Sequence, residues 1–132
     1  MDVLPQVCTA VAAVVLIAVF PFEAFLIDRP WVQRFLAIEP HGIANVHLWS
    51  FCIGARNALA GVGTLTGLWM VNYGNESDGT VVVVVACIYM LLASLFMGIA
   101  DLLGFWLPRG GSLRGTVASS VLPAVALVAI AA

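Results

Sequence analysis

The chain has 132 residues, of which 63% are hydrophobic and 9% are charged, and its formal net charge is −2. Soluble domains carry about 25% charged residues, so this composition predicts an integral membrane protein. A spanning helix needs about 20 apolar residues, so the chain can hold four spans as a single domain over residues 1–132. This leaves no room for a separate soluble domain. It contains no Lys, which excludes a basic patch for nucleic acid.

The first apolar run covers residues 6–27 and predicts a retained transmembrane helix. No Lys or Arg precedes the run, and it is longer than the apolar region of a secretory signal. Pro21 lies inside it and predicts a kink next to Glu23. Charge density then rises over residues 28–42, where apolar residues at helical spacing predict a short amphipathic helix in the membrane interface, anchored by Trp31.

Three further apolar runs predict the remaining transmembrane helices, over residues 43–71, 80–107 and 116–131. A turn-rich acidic loop separates the first two of these, and a glycine-rich loop at 108–115 separates the last two. The predicted fold class is therefore an all-α bundle of four transmembrane helices.

Arginine placement predicts the orientation of this bundle. With four spans, residues 28–42 and 108–115 lie on the same side of the membrane, and together they hold four of the five arginines. Basic residues in short loops favour the cytoplasmic side, so these two loops are predicted to be cytoplasmic and both termini non-cytoplasmic. The expected location is a bacterial plasma membrane.

Arg56 is the exceptional residue of the 43–71 helix, because an ionisable group in mid-membrane costs roughly 2.5 to 3.5 kcal/mol on insertion scales. Glu23 and Asp101 lie at shallower depths measured from the arginine-rich side. The helix directions compensate for this difference in depth. Side chains lean toward the N-terminus of their own helix, so Arg56 leans toward both carboxylates. A lone buried charge costs several kcal/mol, so we predict a buried ion pair of Arg56 with Asp101 first and Glu23 second.

This polar cluster has three interpretations: a structural ion pair that fixes helix order, a polar pocket open to the cytoplasmic side, or a proton path. Small residues on the same helices predict close packing, as in the small-xxx-small pattern. His47, a lone His near the interface, is expected to form a hydrogen bond and not to act as a base. The predicted cluster consists of Arg56, Asp101, Glu23, Asn57 and His47, and the predicted packing residues are Gly63, Gly67 and Gly98.

No catalytic residue, metal ligand or cofactor is predicted. The three cysteines, Cys8, Cys52 and Cys87, form no CxxC pair, and two histidines add no clustered zinc spacing. His41 falls in a loop, so a haem held by two histidines is set aside. Nucleophile and phosphate-binding motifs are missing as well, so an enzymatic role is left open and disfavoured.

Two stretches in the first half of the chain resemble a family of small four-helix membrane proteins known as domain of unknown function 1304. Glu23-Ala24-Phe25-Leu26, followed by a Pro and a Phe, is similar to the family's Leu-Glu-Met-Phe-Leu-Trp stretch. Gly54-Ala55-Arg56-Asn57 is similar to its Asn-Gln-Gly-Leu-Tyr-Asn-Gly segment. The chain departs from the family pattern at Val15-Leu16, Cys52 and Arg56. The resemblance implies a four-helix bundle with Glu23 and Asn57 facing inward.

The predicted function is that of a small accessory or assembly subunit of a larger membrane complex. Helices rich in Gly and Ala favour tight packing against other membrane proteins or a second copy, within the lipid bilayer. The alternative is a small-molecule or lipid-binding transporter, or a membrane enzyme, with a polar pocket around Arg56.

Overall fold

A computed structural model describes residues 1–39, 43–107 and 109–132, and these residues form five α-helices and no strand. The all-α prediction is therefore confirmed for the described part of the chain. The helices are α1 (Val3–Ala24), α2 (Pro30–Leu36), α3 (Ile43–Tyr73), α4 (Glu76–Leu102) and α5 (Leu113–Ala131).

Three of these helices, α1, α4 and α5, are long and apolar enough to cross a membrane. This confirms the membrane character predicted from composition. The 31-residue α3 has the length to cross but is the least apolar of the four long helices, because polar residues interrupt it. Those residues include His47, Arg56 and Asn57.

The four long helices pack in a ring in which α1 contacts α3, α3 contacts α4, α4 contacts α5, and α5 contacts α1. Consecutive long helices run in opposite directions. At one end of the ring the Asn72 side-chain amide donates to Oε1 of Gln6 at 3.0 Å, and at the other end Ser50 Oγ donates to the Glu23 carbonyl at 2.6 Å. Both chain termini and the α3–α4 connection meet at the first end, which we call the termini end.

The other end of the ring carries the α1–α3 and α4–α5 connections, and we call it the arginine end. A hydrogen bond joins the two connections, since Trp106 Nε1 donates to the Ala37 carbonyl at 3.0 Å. The short helix α2 lies here with Val32 buried and Trp31 half exposed, as an interfacial anchor would be. The ring of Phe22 packs edge-on against Trp31 at 5.6 Å and ties α2 to the last turn of α1.

A small apolar core lies inside the ring and draws on all four long helices. Large apolar side chains cover much of the outer surface, as expected for helices that face lipid. The core residues are Cys8, Ala12, Leu68, Val83, Cys87, Met90 and Ala126.

Glycines set the closest helix contacts. A Cβ on Gly61 would lie 2.7 Å from the Ala13 carbonyl oxygen, and one on Gly67 would lie 2.9 Å from Val82 Cγ1. Gly98 lies against Thr116 in the same way, at 3.1 Å. Gly63 differs from its predicted packing role, because no atom lies within 4 Å of the position of its Cβ.

Helix α4 begins and ends earlier than predicted from the apolar run at residues 80–107. It begins at Glu76 because the side chain of Asn75 accepts hydrogen bonds from the amides of Ser77 and Asp78, at 3.0 and 3.3 Å. It ends at Leu102 because Gly104 adopts φ +80° and starts a Schellman turn. The aromatic residues that follow therefore belong to the connection.

Candidate functional site

Glu23, in the last turn of α1, packs against α3. The Asn57 side-chain amide donates to its Oε2 at 3.3 Å, and Ser50 Oγ donates to its backbone carbonyl. Gly54 makes room between these donors, since a Cβ there would lie 3.0 Å from Glu23 Cβ and 3.1 Å from Oε2. Ser50, Gly54 and Asn57 follow the i, i+4, i+7 spacing of one helix face, so one stripe of α3 receives the end of α1.

This contact is half-buried and sits where α1 approaches the arginine end. In this contact, an amide donor on α3 holds a carboxylate oxygen on α1. An interhelical hydrogen bond of this kind stabilises membrane helix pairs by about 0.6 to 1.7 kcal/mol. The arrangement therefore fixes how α1 and α3 are aligned along their length.

Asp101 is buried at the end of α4, and its carboxylate organises the α4–α5 connection. Oδ1 accepts from the Gly110 amide at 2.8 Å, while Oδ2 accepts from the Ser112 amide at 3.0 Å and from Ser112 Oγ at 2.7 Å. Three short hydrogen bonds from the chain's own donors stabilise the negative charge. Asp101 thus closes a turn within its own part of the chain.

Arg56 lies on the exposed outer surface of α3. Among the described residues no ion pair includes it, so the predicted pairs with Asp101 and Glu23 are not formed. Helix geometry explains the difference. Successive residues point about 100° apart around a helix, so while Asn57 faces α1, Arg56 faces outward. Asp101, for its part, is already saturated by Gly110 and Ser112.

His47 pairs with Asp28 at the arginine end, where its Nε2 lies 2.8 Å from Asp28 Oδ1. Both side chains are substantially exposed, at 43% and 65%. This is the hydrogen-bonded interfacial environment expected for a lone His, and it separates His47 from the Glu23 and Asn57 contact. The structure thus brings together two members of the predicted cluster and leaves Arg56, Asp101 and His47 in three other places.

Sequence reasoning missed several partners of these residues. The missed residues are Asp28, Ser50, Gly54 and Ser112. A usable signal existed for two of them, because Ser50 and Gly54 share the helical spacing of Asn57. No comparable signal marks Ser112, whose contact depends on how the α4–α5 connection folds back.

A groove of about 370 Å³ opens on the outer surface between α3 and α4. Its walls are almost entirely apolar, and the empty space beside Gly63 forms part of it. Arg56 lies on the same face of α3, one turn from Ala60 and two from Gly63. The lining residues are Ala60, Gly63, Val82, Val85, Ala86 and Tyr89.

In residues 1–39, 43–107 and 109–132, no three His, Cys, Asp or Glu side chains cluster. The cysteines are free, and the two buried ones serve the core. Cys87 Sγ contacts Thr9 Oγ at 3.7 Å across the ring.

Comparison with known proteins places the chain in a family. No curated protein and no solved structure matches it. A family model described as "Protein of unknown function (DUF1304)" matches residues 10–131. That match extends well beyond the stretches around Glu23 and Asn57 that carried the resemblance in the sequence, and it covers all of the long helices in whole or large part. The chain therefore belongs to the DUF1304 family.

Proposed function

We propose that this protein is an accessory or assembly subunit of a larger membrane complex, and that all four of its long helices cross the membrane as one domain. The observation that carries the proposal is the outer face of α5. Only 11% of the spanning window of α5 is buried within the chain, against 28% for α1 and 22% for α4. A helix with so little cover from its own chain is suited to contact a neighbour.

The composition of this face supports a protein neighbour. Its exposed residues are small or β-branched and make a smooth surface with little to obstruct a second helix. Membrane helices associate through such surfaces because close approach of the backbones replaces the missing hydrophobic driving force. The α5 outer face comprises Ala118, Val121, Val125 and Val128.

The interior polar groups support a structural role rather than a chemical one. Glu23 aligns α1 with α3, and Asp101 closes the α4–α5 connection. Each carboxylate is occupied by donors of its own chain. These contacts stabilise a compact helical unit that another protein can pack against.

The second candidate function, a binding protein working around Arg56, has one specific observation in its favour. Arg56 lies beside an apolar groove and not in a polar pocket. That setting favours a lipid over a small polar substrate, because a lipid supplies both an apolar chain and a charged head.

The proposed orientation places the arginine end in the cytoplasm. Both connections at that end are short and carry exposed arginines, which favours cytoplasmic placement. The termini end carries the acidic α3–α4 connection and would face outward.

Site-specific photo-crosslinking in the native membrane tests the proposed subunit role. A photoreactive amino acid at Val121, on the α5 outer face, should crosslink to one protein of defined mass. The same group at Val14, an exposed position on α1, serves as the matched control and should give no such product. Absence of a protein adduct at Val121, together with a monomeric mass in mild detergent, would overturn the proposal.

A further inference from the structure

We propose that the groove between α3 and α4 binds one acyl chain of an anionic phospholipid, whose phosphate is held by Arg56. The inference uses the proposed spanning of the membrane by α3 but not the proposed partner at the α5 outer face. It commits to a lipid of the leaflet at the arginine end.

The groove runs along part of one leaflet. Its lining extends along α4 from Val82 to Tyr89, and on α3 it includes Ala60 and Gly63. The 7 residue steps on α4 correspond to about 10 Å at the rise of an α-helix. Half of a hydrocarbon core of about 30 Å is about 15 Å. An acyl chain that enters beside Arg56 would therefore lie against the groove over about two thirds of that half.

Gly63 makes the groove deep enough for a chain. A Cβ at this position would meet no atom within 4 Å, whereas one at Gly67, a turn further along, would meet Val82 at 2.9 Å. The groove volume of about 370 Å³ falls in the lower part of the range of about 300–1,000 Å³ found for ligand sites. Its apolar walls suit a hydrocarbon chain.

Arg56 supplies the charge that a phosphate requires. It lies next to Asn57, which contacts the last turn of α1, so it sits close to the level at which α1 leaves the membrane. Its side chain leans toward the N-terminus of α3 and hence toward the arginine end, where a long cationic side chain can reach the headgroups. The other four arginines are exposed at the same end and attract anionic lipid.

A second copy of this chain fits the groove less well than a lipid does. A two-fold contact through this face would place two Arg56 side chains at the same depth against each other. The described carboxylates offer no compensation. Glu23 and Asp101 are occupied inside the chain, and the exposed acids lie at the two ends of the ring. A phosphate group is the anion available at the level of Arg56.

Native mass spectrometry of the full chain tests the site. The protein in mild detergent is offered equal amounts of phosphatidylglycerol and phosphatidylcholine with the same acyl chains. We expect one bound lipid, with phosphatidylglycerol preferred. Arg56→Gln should lower that preference at least about fivefold, since one arginine near the surface contributes about 1 kcal/mol to binding of anionic lipid. Arg34→Gln, an exposed arginine on α2, is the matched control and should retain the preference.

Gly63→Leu tests the groove separately from the charge. The open space at Gly63 admits the new side chain, so the variant should fold with an unchanged helical spectrum while losing both lipids. Undiminished phosphatidylglycerol preference in Arg56→Gln, or undiminished lipid retention in Gly63→Leu, would overturn the proposal. A wild-type dimer that Gly63→Leu converts to a monomer would also overturn it, in favour of a second copy. Crosslinking at Val121 is independent of all these outcomes.

Discussion

The glycines along α3 show that the role of a residue depends on what its position faces. Gly61 lies against the backbone of α1, Gly67 lies against the side chains of α4, and Gly63 faces open space. The sequence marks all three alike as small residues in an apolar helix. Only the rotation of α3 within the ring separates a packing glycine from one that borders a groove.

Alanine substitutions at Gly61 and Gly63 make a matched pair. Gly61→Ala would place a methyl group 2.7 Å from the Ala13 carbonyl oxygen and force α1 and α3 apart. We expect it to lower the free energy of unfolding by about 1–3 kcal/mol, the usual cost of overpacking. Gly63→Ala should leave stability unchanged or raise it by up to about 1 kcal/mol through helix propensity. Denaturant titration in detergent micelles measures both, and equal effects would contradict the assigned packing.

Asn57→Ala tests the contact between α1 and α3. It removes the donor to Glu23 Oε2 and should lower the free energy of unfolding by about 0.6–1.7 kcal/mol. Thr66→Ala is a suitable control, because the exposed Thr66 hydroxyl donates to the Val62 carbonyl of its own helix. A double-mutant cycle with Glu23→Gln isolates the pair, and a coupling energy of zero would show that the contact contributes nothing.

For these single residues, the sequence predicted which side chains are charged but not which way each side chain faces. An arginine and two carboxylates in apolar helices predicted an ion pair, since a lone charge is costly. The structure places the three groups apart: Asp101 accepts from Gly110 and Ser112, Glu23 accepts from Asn57, and Arg56 lies on the outer surface. Facing direction depends on how each helix is rotated, which the positions of charged residues alone do not determine.

Among the secondary-structure elements, the α4–α5 connection is the most strongly determined by its own residues. Gly104 reverses the chain after α4 through its positive φ, and the Asp101 carboxylate then fixes the amides of Gly110 and Ser112. The positive φ of Gly104 and the hydrogen bonds of Asp101 thus together turn the chain back toward α5.

Asp101→Asn should loosen this connection. Hydrogen bonds to a charged group contribute about 1.5–3 kcal/mol, so amide exchange at Gly110 and Ser112 should accelerate at least about tenfold. Hydrogen–deuterium exchange with mass spectrometry measures this on the peptide that contains both residues. Asp28→Asn removes a carboxylate from the same end of the ring and should leave that peptide unchanged. Equal exchange rates in the two variants would show that the Asp101 contacts are weak.

Helix existence followed from the apolar runs, while helix ends followed from local caps. The run at 43–71 matches α3 closely because it begins and ends with the apolar pattern. The α4 boundaries differ because Asn75 starts the helix within a polar stretch and Gly104 ends it within an apolar one. Composition detects the interior of a helix, whereas capping residues decide where it begins and ends.

For the whole molecule, the ring geometry predicts a definite labelling pattern. Single cysteines at Glu39, Ser77 and Leu113 test it in intact cells with a membrane-impermeant maleimide, since all three positions are exposed. We expect Ser77→Cys to react from outside, and Glu39→Cys and Leu113→Cys to react only after permeabilisation. The wild-type chain, whose cysteines lie within helices, gives the background.

Each departure from this pattern has a defined meaning. Reaction of Glu39→Cys from the same side as Ser77→Cys would show that α3 does not cross the membrane. The fully inverted pattern would reverse the orientation while preserving the four spans. The sequence alone predicted membrane character, the all-α class and the family, because these depend on composition and short motifs. The placement of the groove required the packed ring.

The core shared by all four long helices also constrains how the protein is made. Ala126, on α5, is fully buried against residues of the earlier helices, so the core is complete only once the chain beyond this residue has left the ribosome. Until then, α1, α3 and α4 have an open side where α5 will pack. We expect chains that stall before α5 to leave the core residues on that side uncovered.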